Sequence, residues 1–106
     1  MKSFNKYSYV RNLIENIKTD VDVEDKFEDE VYEDVVDYIR QDIDNACIYY
    51  ADCFAIIAEL NFTSFAAEDN DMGIEITNVS QAAFVALEEY VMEEIDVYEL
   101  TNEITE

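Results

Sequence analysis

Residues 23–39 have the sequence VEDKFEDEVYEDVVDYI, and this stretch decides the expected fold. Its apolar residues recur every four positions, which is the spacing of one face of an α-helix. That face consists of Val23, Phe27, Val31, Val35 and Ile39. Carboxylates cover the opposite face, and like charges at helical spacing destabilise an isolated helix by about 0.2–0.5 kcal/mol per pair. Packing of the apolar face must therefore hold this helix in place.

The same periodicity predicts a helix on each side of this one. The first covers residues 4–18, with Ser3 as its candidate N-cap, while Asp20 or Asp22 would cap the second. The third covers about residues 44–60 and is apolar on nearly all sides, so we expect it to be the central core helix. Whether the second and third helices are continuous stays open, because no glycine or proline separates them.

A fourth helix follows the longest irregular stretch, residues 61–78. Within that stretch, residues 74–77 form either a brief strand or an extended apolar segment. Asn78, followed three residues later by Gln81, matches a capping box and would open the fourth helix, which runs to about Ile95.

The remaining residues complete a single domain. The tail over residues 101–106 is polar, and we expect it to fray. Half of the chain is hydrophobic, which is enough to build a core at this length. The sequence therefore predicts one all-α domain over residues 1–106, a compact bundle of about four helices with at most a short strand near 74–77.

Negative charge dominates the composition. The chain has 27 acidic and 6 basic residues and a net charge of −21, and all six cations lie in the first 40 positions. Direct binding to nucleic acid or to an anionic membrane is excluded, because both are polyanions. A cationic partner, a multivalent cation or a very salty environment remains. No run of residues is long and apolar enough for a membrane span or a signal peptide, so we expect a cytoplasmic protein.

The residues that usually carry catalysis or bind metals are scarce. The chain has no histidine, and Cys47 and Cys53 would face apart on one helix, so we expect them to be small core residues. An EF-hand alignment of the acidic segment 68–73 fails, because Met72 and Val79 would occupy two liganding positions. We therefore expect no enzyme activity, no cofactor and no dedicated metal site.

The acidic face is the strongest functional signal. Twelve of the 25 residues from Asp20 to Asp44 are acidic. At about 1.5 Å of helix rise per residue, this density is comparable to the phosphate spacing of about 3.4 Å along one DNA strand. The carboxylates expected to bind a partner are Asp20, Asp22, Glu24, Asp25, Glu28, Asp29, Glu33, Asp34, Asp37, Glu88, Glu89, Glu93 and Glu94. Tyr32 and Tyr38 border this face and suit a protein interface.

The chain resembles the phage-type DNA-mimic proteins in three features. These are the acidic run over residues 20–44, the uncompensated acids from Asp42 onward, and the small helical frame. These anti-restriction and anti-CRISPR inhibitors block host defence nucleases. The resemblance implies an inhibitor that occupies the nucleic-acid channel of a restriction enzyme or CRISPR effector, in the cytoplasm of the host cell. Its partner would be a basic nucleic-acid-binding protein, and a homodimer would lengthen the charged surface.

Three alternatives stay open. The chain could be a general acidic interaction module, antitoxin-like or chaperone-like, that binds one basic protein. High-salt adaptation also enriches surface acids, and a halophilic domain would unfold in dilute buffer. The third alternative is that the carboxylates only keep a small domain soluble, although a charge of −21 far exceeds the magnitude of about 2–8 that solubility requires.

Overall fold

A computed structural model describes residues 3–48, 50–62 and 79–106. Within these ranges the chain is all-α, which confirms the predicted fold class. Five helices, one more than expected, form the described part: α1 (Lys6–Asp20), α2 (Glu28–Ala46), α3 (Tyr50–Glu59), α4 (Val79–Glu94) and α5 (Val97–Thr105). The segment expected to be a strand or an extended segment at 74–77, and the expected cap Asn78, lie outside the described residues.

Helix α1 begins two residues later than predicted. The side chain of Asn5 accepts a hydrogen bond of 2.9 Å from the backbone N–H of Ser8, so Asn5 is the N-cap and the expectation for Ser3 is wrong. Leu13 and Ile17 are the buried residues of this helix and anchor it to the core.

The connection from α1 to α2 differs from the prediction. Asp22 accepts a hydrogen bond from the backbone N–H two residues further on, and Asp25 has a φ of 60°. Such local bonds compete with helix formation, so α2 begins only at Glu28. Neither Asp20 nor Asp22 caps it. Phe27 occupies the N-cap position and is 77% exposed, so its assignment to the core face is also wrong.

Helices α2 and α3 are separate. Helix α2 ends at Ala46, and the carbonyl oxygen of Cys47 accepts hydrogen bonds from the Cys53 thiol at 3.1 Å and the Ser80 hydroxyl at 3.3 Å. Both cysteines are buried, which confirms that they are core residues. They lie close together on either side of the helix break, however, and do not face apart on one helix. Burial raises the pKa of the Cys47 thiol to about 12, which keeps the thiol protonated and unreactive.

Among the described residues, helix α4, and not α3, contributes the most buried side chains to the core. Its buried residues are Val79, Ala82, Ala83, Ala86, Leu87 and Val91. In α3 the described side chains of Ala51, Asp52, Phe54 and Ala58 are exposed, so burial on nearly all sides is wrong for this helix. Helix α4 packs mainly on α3 and also contacts α2, while α2 packs in addition against α5 and α1.

The C-terminal residues form a fifth helix, which extends to Thr105 in the region expected to be a polar tail. The carboxylate of Asp96 caps α5 by accepting a hydrogen bond of 3.1 Å from the backbone N–H of Glu99. Val97, Leu100 and Thr101 are buried, and the helix packs against α2. The apolar face of α5 thus completes the core around α2.

Candidate functional site: the acidic face of helix α2

Helix α2 buries one stripe and exposes carboxylates opposite to it. The buried stripe consists of Val31, Val35, Ile39 and Ile43. At about 100° per residue, the positions that point most directly away from this stripe include four exposed carboxylates. We call these four residues the acidic ridge: Glu30, Glu33, Asp37 and Asp44. Glu30 and Asp44 were absent from the predicted site, although the angle of each residue around the helix could have identified them.

Charge density along α2 is highest in its first half. Six carboxylates lie between Glu28 and Asp37, over about 14 Å of helix axis at 1.5 Å per residue. Their mean axial spacing of about 3 Å is close to the phosphate spacing of about 3.4 Å along one DNA strand. Beyond Asp37 the density falls, because only Asp42 and Asp44 follow in the helix.

Three ion pairs use carboxylates within the described ranges. Lys26 Nζ lies 2.7 Å from Asp34, Arg40 Nε lies 3.3 Å from Glu88, and Lys18 Nζ lies 3.7 Å from Glu103. Asp34 and Glu88, both predicted to bind a partner, are therefore partly neutralised inside the molecule. The four carboxylates of the ridge form no ion pair with any cation in the described part of the chain, so their charge is available to a partner.

Of the predicted site residues before α2, Asp20 is the last residue of α1, and the others belong to the connection between α1 and α2. The Tyr38 hydroxyl donates a hydrogen bond of 2.6 Å to the Asp20 carboxylate, and this bond raises the pKa of Tyr38 to about 12. Asp22 closes the local turn, as described above. Glu24 and Asp25 are exposed in the same connection and continue the acidic surface beyond the start of α2.

Tyr32 lies on the opposite flank of α2 from Tyr38. Its ring packs against the ring of Tyr98 on α5, with centroids 4.7 Å apart and an angle of 34° between the planes. Tyr98 is 69% exposed and lies beside the acidic face, but it was not among the predicted site residues. The spacing of Asp96 and Glu99, which matches a helix N-terminus, could have placed Tyr98 on a separate helix, but not beside α2.

The predicted carboxylates of α4 do not all lie beside α2. Glu88 faces α2, as its ion pair with Arg40 shows. Glu89 lies about 100° further around the helix, so it points in another direction. Glu89, Glu93 and Glu94 are all exposed. Among the four, contact with α2 is thus established for Glu88 only.

No protein-family model, curated protein sequence or solved structure matches this chain. No helix in the described ranges has the length and apolar character needed to cross a membrane. Those ranges also contain no group of three histidine, cysteine, aspartate or glutamate residues placed to hold a metal ion. The acidic segment 68–73 lies outside them.

Proposed function

We propose that this protein is a nucleic-acid mimic that inhibits a host defence nuclease, a CRISPR effector or a restriction enzyme, by occupying its basic cleft. The supporting observation is the acidic ridge on α2, which is exposed and forms no ion pair within the described residues. Such a partner acts in the cytoplasm of the host cell, so the inhibitor would act there as well.

A helix suits this role because it fixes the positions of its carboxylates. The buried stripe of α2 packs against the other helices, so the ridge is presented on a rigid frame. Arginine and lysine side chains that normally hold phosphates can hold carboxylates in the same way, through charge-assisted hydrogen bonds. Complementary charge also speeds the encounter with the cleft.

The second candidate is an acidic interaction module, antitoxin-like or chaperone-like, that binds one basic protein through aromatic anchors. The observation in its favour is the exposure of Phe27 and Tyr98, at 77% and 69%, next to the acidic residues at the start of α2. Under this alternative, alanine at these two positions should weaken binding more than the loss of ridge charge does.

Charge reversal on the ridge tests the proposal. The test variant combines Glu30→Lys, Asp37→Lys and Asp44→Lys. The control variant makes the same change of net charge at exposed residues elsewhere and combines Glu15→Lys, Glu99→Lys and Glu106→Lys. Circular dichroism should show that both variants remain helical, because none of the six side chains belongs to the core.

Affinity capture from a host lysate at about 50 mM and about 0.5 M salt, where screening differs strongly, identifies the bound protein. The wild type and the control variant should capture the same nucleic-acid-binding enzyme at low salt, and a DNA duplex should displace it. The ridge variant should lose the enzyme. Binding that DNA does not displace, or that persists unchanged at high salt, contradicts mimicry.

A further inference from the structure

A small groove lies between the first turns of α2 and the start of α5. Its aromatic wall consists of Tyr32 and Tyr98, and the buried Thr101 lines its inner end. Its volume of about 290 Å³ is that of about ten water molecules at roughly 30 Å³ each. The groove is therefore large enough to receive one side chain.

Three carboxylates line the same groove: Glu28, Asp29 and Glu33. Within the described part of the chain, none of the three forms an ion pair. The groove thus combines an exposed aromatic ring with uncompensated negative charge. The negative charge repels an anionic occupant. An apolar side chain would leave the three carboxylates without a partner.

We infer that this groove receives the guanidinium group of an arginine side chain from a basic partner protein. A guanidinium is planar and weakly hydrated, so it can stack on the open ring of Tyr98. Its five N–H donors can at the same time reach carboxylates at the rim in a forked geometry. A lysine ammonium offers only a compact, strongly hydrated charge and should bind less well.

A cation–π contact of this kind occurs elsewhere within the chain, at Lys6. The ammonium group of Lys6 lies 5.4 Å from the ring centroid of Tyr7 and 5.6 Å from that of Tyr90. Both distances fall within the range of about 6 Å in which a cation is attracted to an aromatic face. Tyr32 and Tyr98 have no such cation among the described residues, so their exposed faces remain open to one from a partner.

The identity of the partner rests on the proposed function, but the groove can be tested without it. The probe is N-acetyl-arginine amide, titrated into the isotopically labelled full chain and followed by NMR. We expect saturable shifts of the ring signals of Tyr32 and Tyr98. N-acetyl-citrulline amide, which has the same shape and no charge, should give no saturable shift, and N-acetyl-lysine amide should bind more weakly.

Two variants locate the binding. Tyr98→Leu removes the exposed ring and should weaken arginine binding by about 2- to 5-fold, the effect of losing one exposed cation–π contact. Neutralising the three carboxylates by Glu28→Gln, Asp29→Asn and Glu33→Gln should abolish saturation. The matched control Glu15→Gln, Glu99→Gln and Glu106→Gln should leave the affinity unchanged. The amide variants keep the test decisive even if Tyr98→Leu disturbs α5.

The inference is overturned if citrulline binds as well as arginine, if the shifts map to another surface, or if both groove variants bind arginine like the wild type. Its failure is distinguishable from failure of the proposed function. If only the groove assignment is wrong, DNA still displaces the captured enzyme and the ridge variant still loses it. If only mimicry is wrong, arginine still shifts the Tyr98 signals although DNA displaces nothing.

Discussion

A hydrogen bond between Tyr9 and Asp42 joins α1 to α2, and removing one hydroxyl group tests how much it stabilises the fold. The Tyr9 hydroxyl donates to Asp42 Oδ2 at 2.6 Å, and both residues are partly buried. Tyr9→Phe keeps the ring and removes the donor. Hydrogen bonds to charged groups contribute about 1.5–3 kcal/mol, so the variant should lose that much free energy of unfolding near pH 7. For a chain of this size, the loss corresponds to a decrease in Tm of roughly 5–20 °C.

The same pair predicts a specific pH dependence. Burial of the Tyr9 hydroxyl raises its pKa above the ordinary value of about 10, and the Asp42 carboxylate raises it further. A raised pKa in the folded state means that the contribution to stability is complete below about pH 10. Above that pH the unfolded state releases the Tyr9 proton and the folded state does not. The contribution therefore falls by about 1.4 kcal/mol per pH unit.

Urea unfolding of the wild type and of Tyr9→Phe, followed by circular dichroism between about pH 7 and pH 11, measures this difference. The difference between the two proteins should be constant up to about pH 10 and decrease above it. Taking the difference removes the general effect of alkaline pH on the remaining residues. Equal stabilities at pH 7, or a difference that does not change up to pH 11, would refute the reasoning.

Three further predictions concern the core, the cap of α5 and the net charge. Leu87→Ala should cost about 2–5 kcal/mol in urea unfolding because it opens a cavity in the core, whereas Phe27→Ala, at an exposed position, should change stability by less than about 0.5 kcal/mol. Similar losses for the two variants would contradict the assigned burial. Asp96→Ala should cost about 0.5–2 kcal/mol by removing the cap of α5, and an unchanged Tm would contradict that helix start. Raising NaCl from about 20 mM to about 0.5 M should increase the Tm, because screening weakens repulsion among the carboxylates. A Tm independent of salt would contradict this expectation. Absence of folding at about 20 mM would favour halophilic adaptation.

The parts of the fold that depend on periodicity were predictable from sequence. The apolar stripe over Val31, Val35 and Ile39 identified α2 and its buried face, because burial of one helical side requires that spacing. The start of α2 was not predictable in this way. It depends on the local turn that contains Asp22 and Asp25. The same residues are also compatible with a helix, so the sequence does not decide between the two.

The break after α2 depends on one contact that is near in sequence and one that is distant. The carbonyl of Cys47 is satisfied by groups from α3 and α4, so the chain can leave the helix there without a glycine or proline. The same limit applies to the candidate site. Spacing predicted a carboxylate-rich face, but only the packing of α5 on α2 brings Tyr98 to its edge and makes a groove there.

The carboxylates of α2 differ in how far folding can account for them. Glu28, Asp29 and Glu30 occupy the first turn, where the partial positive charge of the helix N-terminus stabilises an anion by about 0.3–1 kcal/mol. Asp37 and Asp44 lie beyond that turn and form no ion pair with a described cation, so they add repulsion without an evident gain for the fold. Unlike the carboxylates of the first turn, these two do not stabilise the helix. Asp37 and Asp44, and not the denser carboxylates of the first turn, are therefore the most direct argument for a cationic partner.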